Sequence, residues 1–161
     1  MKKPVWIALA AAALVFALAA CGGRTAADMP GAQIANPFAD YATLEEAAAA
    51  AGFPLSAPSS ISGYDAPVVQ LMSGKMLQLI FKSGDQRLII RKAKGSEDIS
   101  GDYTAHSETR TVRINGVDVS LRGAEGKVSA AVWCAGGYSY ALLSDVPMAP
   151  DVMTDLIAEI A

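Results

Sequence analysis

Leu77-Gln-Leu-Ile-Phe81-Lys-Ser-Gly-Asp-Gln86-Arg-Leu-Ile-Ile-Arg91-Lys-Ala-Lys-Gly95-Ser-Glu-Asp-Ile-Ser-Gly101-Asp-Tyr103 is the stretch that decides the fold. Leu77, Leu79 and Phe81 alternate with Met76, Gln78 and Ile80. That period of two is the mark of a strand, whose successive side chains point to opposite faces. Arg87 to Ala93 repeats it, with Leu88 and Ile90 opposite Ile89 and Arg91. The polar turn between them is short enough to force antiparallel pairing. The stretch therefore predicts a central β-hairpin. After Ala93 the chain becomes a long polar loop, 94–108, carrying charges and two glycines with no evident folding role.

The same period continues on both sides. Val68 to Met72 precedes the hairpin across Ser73-Gly74-Lys75, a short hairpin connection. Beyond the loop, Thr109 to Ile114 and Val117 to Arg122 flank Asn115-Gly116. That dipeptide supplies the two positive φ angles of a type I′ turn. Val128 to Cys134 and Tyr138 to Leu143 follow, separated by Ala135-Gly136-Gly137. Thr43-Leu44-Glu45-Glu46 reads as a capping box opening a helix over 44–51, with the alanines favouring helix and Gly52 ending it. Phe53 and Leu55 sit in a proline-broken connector and are expected to plug into the core. Pro150-Asp151 opens a second helix, whose stripe is read as Val152, Leu156, Ile157 and Ile160. The expected fold class is α+β: an antiparallel β-meander of about seven strands, packed against an N-terminal and a C-terminal short helix.

The N-terminus carries a different message. Lys2 and Lys3 precede an apolar run from Val5 to Ala20, and Leu18-Ala19-Ala20-Cys21 follows the pattern of a cleavage site with small residues before the cut. This resembles the lipobox of bacterial lipoproteins. The resemblance implies cleavage after Ala20 and lipid on the Cys21 thiol. Several acyl chains would anchor stably where one is marginal. The alternatives are a plain secretory signal with an incidental cysteine and an uncleaved membrane helix. The organisation expected is a signal peptide over 1–20, a lipidated flexible tether over 21–36 and a single domain over 37–161. Partners then include the membrane, through Cys21.

Without Lys2 and Lys3, the 13 basic side chains fall to 11 against 16 acidic ones, and the net charge moves from −3 to −5. A nucleic-acid binder carries a basic face instead, so no nucleic-acid partner is expected. Cys134 would be left without an intramolecular partner and reads as a small buried hydrophobe. His106 is the sole histidine.

A second resemblance rests on Gly52-Phe53-Pro54, on the Leu77 to Arg91 hairpin, and on Val132-Trp133 followed by Tyr138-Ser139-Tyr140-Ala141-Leu142. It is to a family of bacterial extracytoplasmic domains of unknown function, in which a "GF-x-x-P" element precedes a strand meander and a "W…Y-x-L" hairpin leads to a short C-terminal helix. The resemblance covers roughly 38–161. It implies membrane tethering and, for some members, neighbourhood with envelope-stress or anti-sigma regulators. It carries no catalytic residues.

Candidate sites are few. Arg91, Lys92 and Lys94 with Glu97, Asp98 and Asp102 form the candidate partner-contact region. Trp133, Tyr138 and Tyr140 form a candidate ligand groove, since aromatic side chains offer large rigid surfaces, with core packing as the competing reading. The acidic loop does not match the spacing of a calcium loop, so no metal and no cofactor are expected. The chain lacks a Gly-x-Ser-x-Gly element, and it is read as non-catalytic. The function expected is a lipid-anchored extracytoplasmic module binding an envelope protein or small ligand. The alternatives are an envelope sensor or regulator acting on an anti-sigma-type membrane partner, and a hydrolase. A groove beside Trp133 would favour binding; a deep pocket joining His106 to two carboxylates would favour the hydrolase.

Overall fold

The computed structural model of the chain describes residues 36–161. The expected signal segment, the lipidated Cys21 and nearly all of the tether lie outside the described residues. The described chain is α+β, an eight-stranded antiparallel sheet with two short helices. The strands are β1 (Phe38–Tyr41), β2 (Val68–Met72), β3 (Met76–Ser83), β4 (Gln86–Lys94), β5 (Glu108–Ile114), β6 (Val117–Ala124), β7 (Lys127–Ala135) and β8 (Tyr138–Met148). The helices are α1 (Leu44–Ala51) and α2 (Pro150–Ala158).

The expected seven strands are eight. β1 reads Phe-Ala-Asp-Tyr and shows no apolar alternation, because it is a four-residue edge strand with one partner. Its entry is held by the Asn36 side chain, which accepts from the Phe38 amide. β8 runs to Met148, past the expected end at Leu143, where the polar residues Ser144 and Asp145 give no apolar cue.

A single meander was expected; the sheet is two. Its order is β1-β2-β3-β4-β8-β7-β6-β5, so β4 pairs with β8 and not with β5. Counting alternate directions across that order, β4 and β5 run the same way. Their connection must travel the length of the sheet and also cross four strand spacings, roughly 19 Å at about 4.8 Å each. A connection between strands of the same direction needs about a dozen residues or more. Residues 95–107 meet that need, so the length of the loop is a topological requirement.

Registers sort the side chains onto two faces. Phe81, Leu88, Leu79, Ile90, Leu142, Ala131 and Leu121 lie on one face and form the core with α1 and α2. Ala47 and Ala51 of α1 are buried, and the Thr43 hydroxyl accepts from the Glu46 amide at 3.2 Å, as the capping pattern predicts. Phe53 and Leu55 are buried in the same core. In α2 the buried residues are Met153 and Ile157, with Ile160 just beyond, while Val152 is 49% exposed. The helix is rotated so that Met153, Leu156, Ile157 and Ile160, spaced i, i+3, i+4 and i+7, face the sheet. Asn115 and Gly116 take φ of 50° and 83°, both positive as the β5–β6 turn requires.

Cys134 is exposed and not buried. Trp133 takes the helix-covered face, so strand alternation turns Cys134 to the other one, beside the Ser96 carbonyl and the Ser139 hydroxyl.

Candidate functional site

Lys92 and its neighbours on β7 and β8 assemble the most distinctive site. On β4, Arg91 opposes Gln78 and Ala141, whereas Lys92 opposes Leu77 and Tyr140. One residue of offset therefore sends Arg91 to the loop-covered face and Lys92 into the helix-covered one. Tyr140 in turn opposes Trp133, and Trp133 opposes Val119. The expected groove residues thus come together with Lys92, a member of the candidate partner-contact region.

A pocket of about 400 Å³ opens between this end of the sheet and the C-terminal end of α2. Trp133, Tyr138, Tyr140, Val117, Ile160 and Lys92 are among its lining residues. Trp133 and Tyr140 stack nearly parallel, with centroids 5.2 Å apart and planes at 4°. Tyr138 packs against Phe53 at 5.3 Å. Ala161 closes the pocket, its backbone exchanging two hydrogen bonds with that of Ser56. The Asn115 side-chain amide donates to the Ala158 carbonyl, tying the β5–β6 turn to the end of α2.

Lys92 is only 4% exposed. Its Nζ lies 4.7 Å from the Tyr138 ring centroid and 5.0 Å from that of Tyr140. No carboxylate among the described residues forms an ion pair with it; the pairs there are Arg87–Asp145, His106–Asp102, Arg113–Asp118 and Arg122–Asp98. Desolvating an ammonium costs several kcal/mol even after relaxation. A desolvated cation–π contact returns about 2 kcal/mol. Two such contacts offset much of that cost but supply no opposite charge. Among the described residues no occluded side-chain nitrogen or oxygen lacks a hydrogen-bond partner. The lysine amine, which has none, must therefore reach accessible space, and the pocket is that space.

The opposite face is built differently. The 95–107 crossover lies over it and encloses a larger cleft of about 690 Å³, lined by Arg87, Arg91, Asp102, His106, Glu125 and Asp145, among others. Most of the charge there is already matched. Arg91 donates from Nε to Gln78 Oε1 at 2.6 Å and from Nη1 to the carbonyls of Ile99 and Ser100. Burial first, and the charge of Arg87 second, lower its pKa from the usual guanidinium value. Gly101, next in the loop, leaves room for this arginine: a Cβ there would stand 3.0 Å from Nη1. Asp98 pairs with Arg122 at 2.8 Å and accepts from the Ser100 amide. Burial alone would raise its carboxyl; the bonds from Ser100 and Arg122 outweigh it and hold the group below its usual value. Asp102 accepts from His106 and from the Thr104 amide. Burial would raise it too, yet those bonds hold its carboxyl down at about 2.

The candidate partner-contact residues are thus divided. Arg91, Asp98 and Asp102 brace the crossover, Lys92 lies on the other face, and Lys94 and Glu97 are exposed. The Lys94 amine stands 5.8 Å from the Phe53 ring centroid. Two residues of the crossover stand out beyond those candidates. His106 is the partner of Asp102, a pairing at i, i+4 that the loop sequence contained. Tyr103, 97% exposed, is the most exposed large hydrophobic side chain of the crossover. Among the described residues, no three His, Cys, Asp or Glu gather where a metal ion could be held.

The chain matches no family model, no curated protein and no solved structure.

Proposed function

We propose that this protein is a non-catalytic, lipid-anchored extracytoplasmic module that binds a small ligand in the aromatic pocket at the α2 end of the sheet. The observation that carries the reading is the convergence of Trp133, Tyr138 and Tyr140 on one pocket of about 400 Å³. That volume is in the range of small-molecule sites, which combine apolar and aromatic walls with a few placed polar groups. The anchor rests on the Leu18-Ala19-Ala20-Cys21 pattern. The likeness to extracytoplasmic domains of unknown function agrees with that location and leaves the ligand open.

A thermal-shift screen against small metabolites tests the binding. At least one compound is expected to raise the melting temperature by several degrees in the wild type and not in Trp133→Ala. Compounds that stabilise both proteins equally would count against the pocket. For the anchor, Cys21→Ala should move the protein from the membrane to the soluble fraction; unchanged membrane retention would sink that part.

One observation favours a hydrolase as the second reading. The crossover cleft joins His106 to Asp102, Glu125 and Asp145, with Ser129 on its wall. Asp145 is engaged by Arg87, and among the described residues no hydroxyl is hydrogen-bonded to the imidazole. Ester hydrolysis abolished by both His106→Ala and Ser129→Ala would establish this reading over the first.

A further inference from the structure

We infer that the pocket around Lys92 takes an organic anion: a small molecule with a flat apolar body and a single carboxylate or similar acidic group. The inference deepens the binding reading above and rests on it. Its ground is the mismatch at Lys92, a cation nine-tenths buried and lining the pocket, with two tyrosine rings beside it and, among the described residues, no carboxylate within ion-pair distance. Buried charges in proteins are paired or hydrogen-bonded, because an unpaired one loses its hydration without return. Here the missing partner is a negative charge, and the pocket that Lys92 lines is the space in which one can sit.

The surroundings set the rest of the ligand. The rings of Tyr138 and Tyr140 flank the ammonium, and the walls beyond it are Trp133, Val117, Val119 and Ile160. Such walls favour a flat apolar body placed next to the anionic group. A bare inorganic anion would leave those walls unfilled, and a neutral aromatic molecule would leave the lysine unmatched. The larger cleft under the crossover offers no equivalent, since Arg91 is already held by Gln78 and two carbonyls, Arg87 by Asp145, and Lys127 on its wall is exposed to water.

Equilibrium dialysis of the full chain in detergent, with uptake into empty micelles subtracted, separates the two claims. The probes are 2-naphthoate and 2-naphthamide, which differ in charge and hardly in shape. The naphthoate is expected to bind at least tenfold more tightly than the amide. Lys92→Met should remove that preference by weakening the naphthoate alone, and Lys92→Arg should keep most of it. Trp133→Ala should weaken both probes. Equal affinity of the wild type for the two probes, or a preference that survives in Lys92→Met, overturns the anion assignment and leaves the binding reading standing. Failure of the wild type to bind either probe overturns both. The wild-type ratio requires no variant, so it decides the matter even where Lys92→Met does not fold.

Discussion

Arg91 and Lys92 are neighbours in the chain and opposites in the fold. Arg91 lies on the face covered by the crossover, where Gln78 and two loop carbonyls meet its guanidinium. Lys92 lies on the face covered by the helices, where aromatic rings surround its ammonium and no anion does. The first face uses its charges to hold a loop in place; the second holds one charge in reserve inside an apolar core. A cluster of charges in a sequence therefore says little about recognition until each is known to be matched or unmatched.

Substitutions on the two faces test this contrast. The largest effect is expected in the helix-covered core, where Phe81→Ala should cost about 3–5 kcal/mol in urea unfolding, since Phe81 is fully buried. If that cost were below 1 kcal/mol, the two faces would not differ as described. Next is Arg91→Met, which strips the Ile99 and Ser100 carbonyls of a donor and should cost about 2 kcal/mol. Raised hydrogen exchange confined to 95–107 would show that the loss is local.

Asp102 should give the loop an acid sensitivity. Its folded value of about 2 lies below the ordinary carboxyl value of 3.8, so its contribution is complete above about pH 4 and is lost as pH falls towards 2. Asp102→Asn should remove that part of the acid dependence and cost about 1.5 kcal/mol at neutral pH. Identical acid profiles for the two proteins would argue against the His106 pairing. Lys92→Met, one residue from Arg91, should have the opposite sign to Arg91→Met. With no ion pair to lose, and with the loss of two cation–π contacts set against relief of a buried charge, it should leave stability unchanged or raise it by about 1 kcal/mol. The smallest effect is Asp98→Asn, at about 0.5 kcal/mol, because its pair with Arg122 is partly exposed. A double-mutant cycle with Arg122→Met would measure the coupling.

The legible parts of this fold were those fixed by neighbours in sequence. The Thr43 cap, the Asn115-Gly116 turn and the alternation of β3 and β4 depend on residues a few positions apart, and each is where the pattern puts it. The β4–β8 pairing was not legible, because strand alternation says which face a side chain takes and nothing about which strand lies alongside. That pairing made the 95–107 loop look surplus when it was a crossover. The same limit applied to the site. Trp133, Tyr138 and Tyr140 were read together because β7 and β8 form a hairpin. Lys92 joined them only through the β4–β8 seam, which brings it opposite Tyr140. Cys134 was misplaced for a simpler reason: its apolar neighbours face alternate sides, and the thiol fell on the polar one.

The β4–β8 seam also bears on how the chain folds. Apart from the β1–β2 pair, whose connection carries α1, each four-stranded half is built from hairpins that can form as soon as they are made. The seam joins partners far apart, with Arg87 donating to Asp145 58 residues downstream. Contacts of that separation form slowly, since loop closure is paid before pairing rewards it. Until β8 emerges, β4 is an open edge, and its Leu88-Ile89-Ile90 run is available to other chains. Translation that stalls before Tyr138 should therefore yield an aggregation-prone chain, and the last strand added is the one that shields the middle of the sheet.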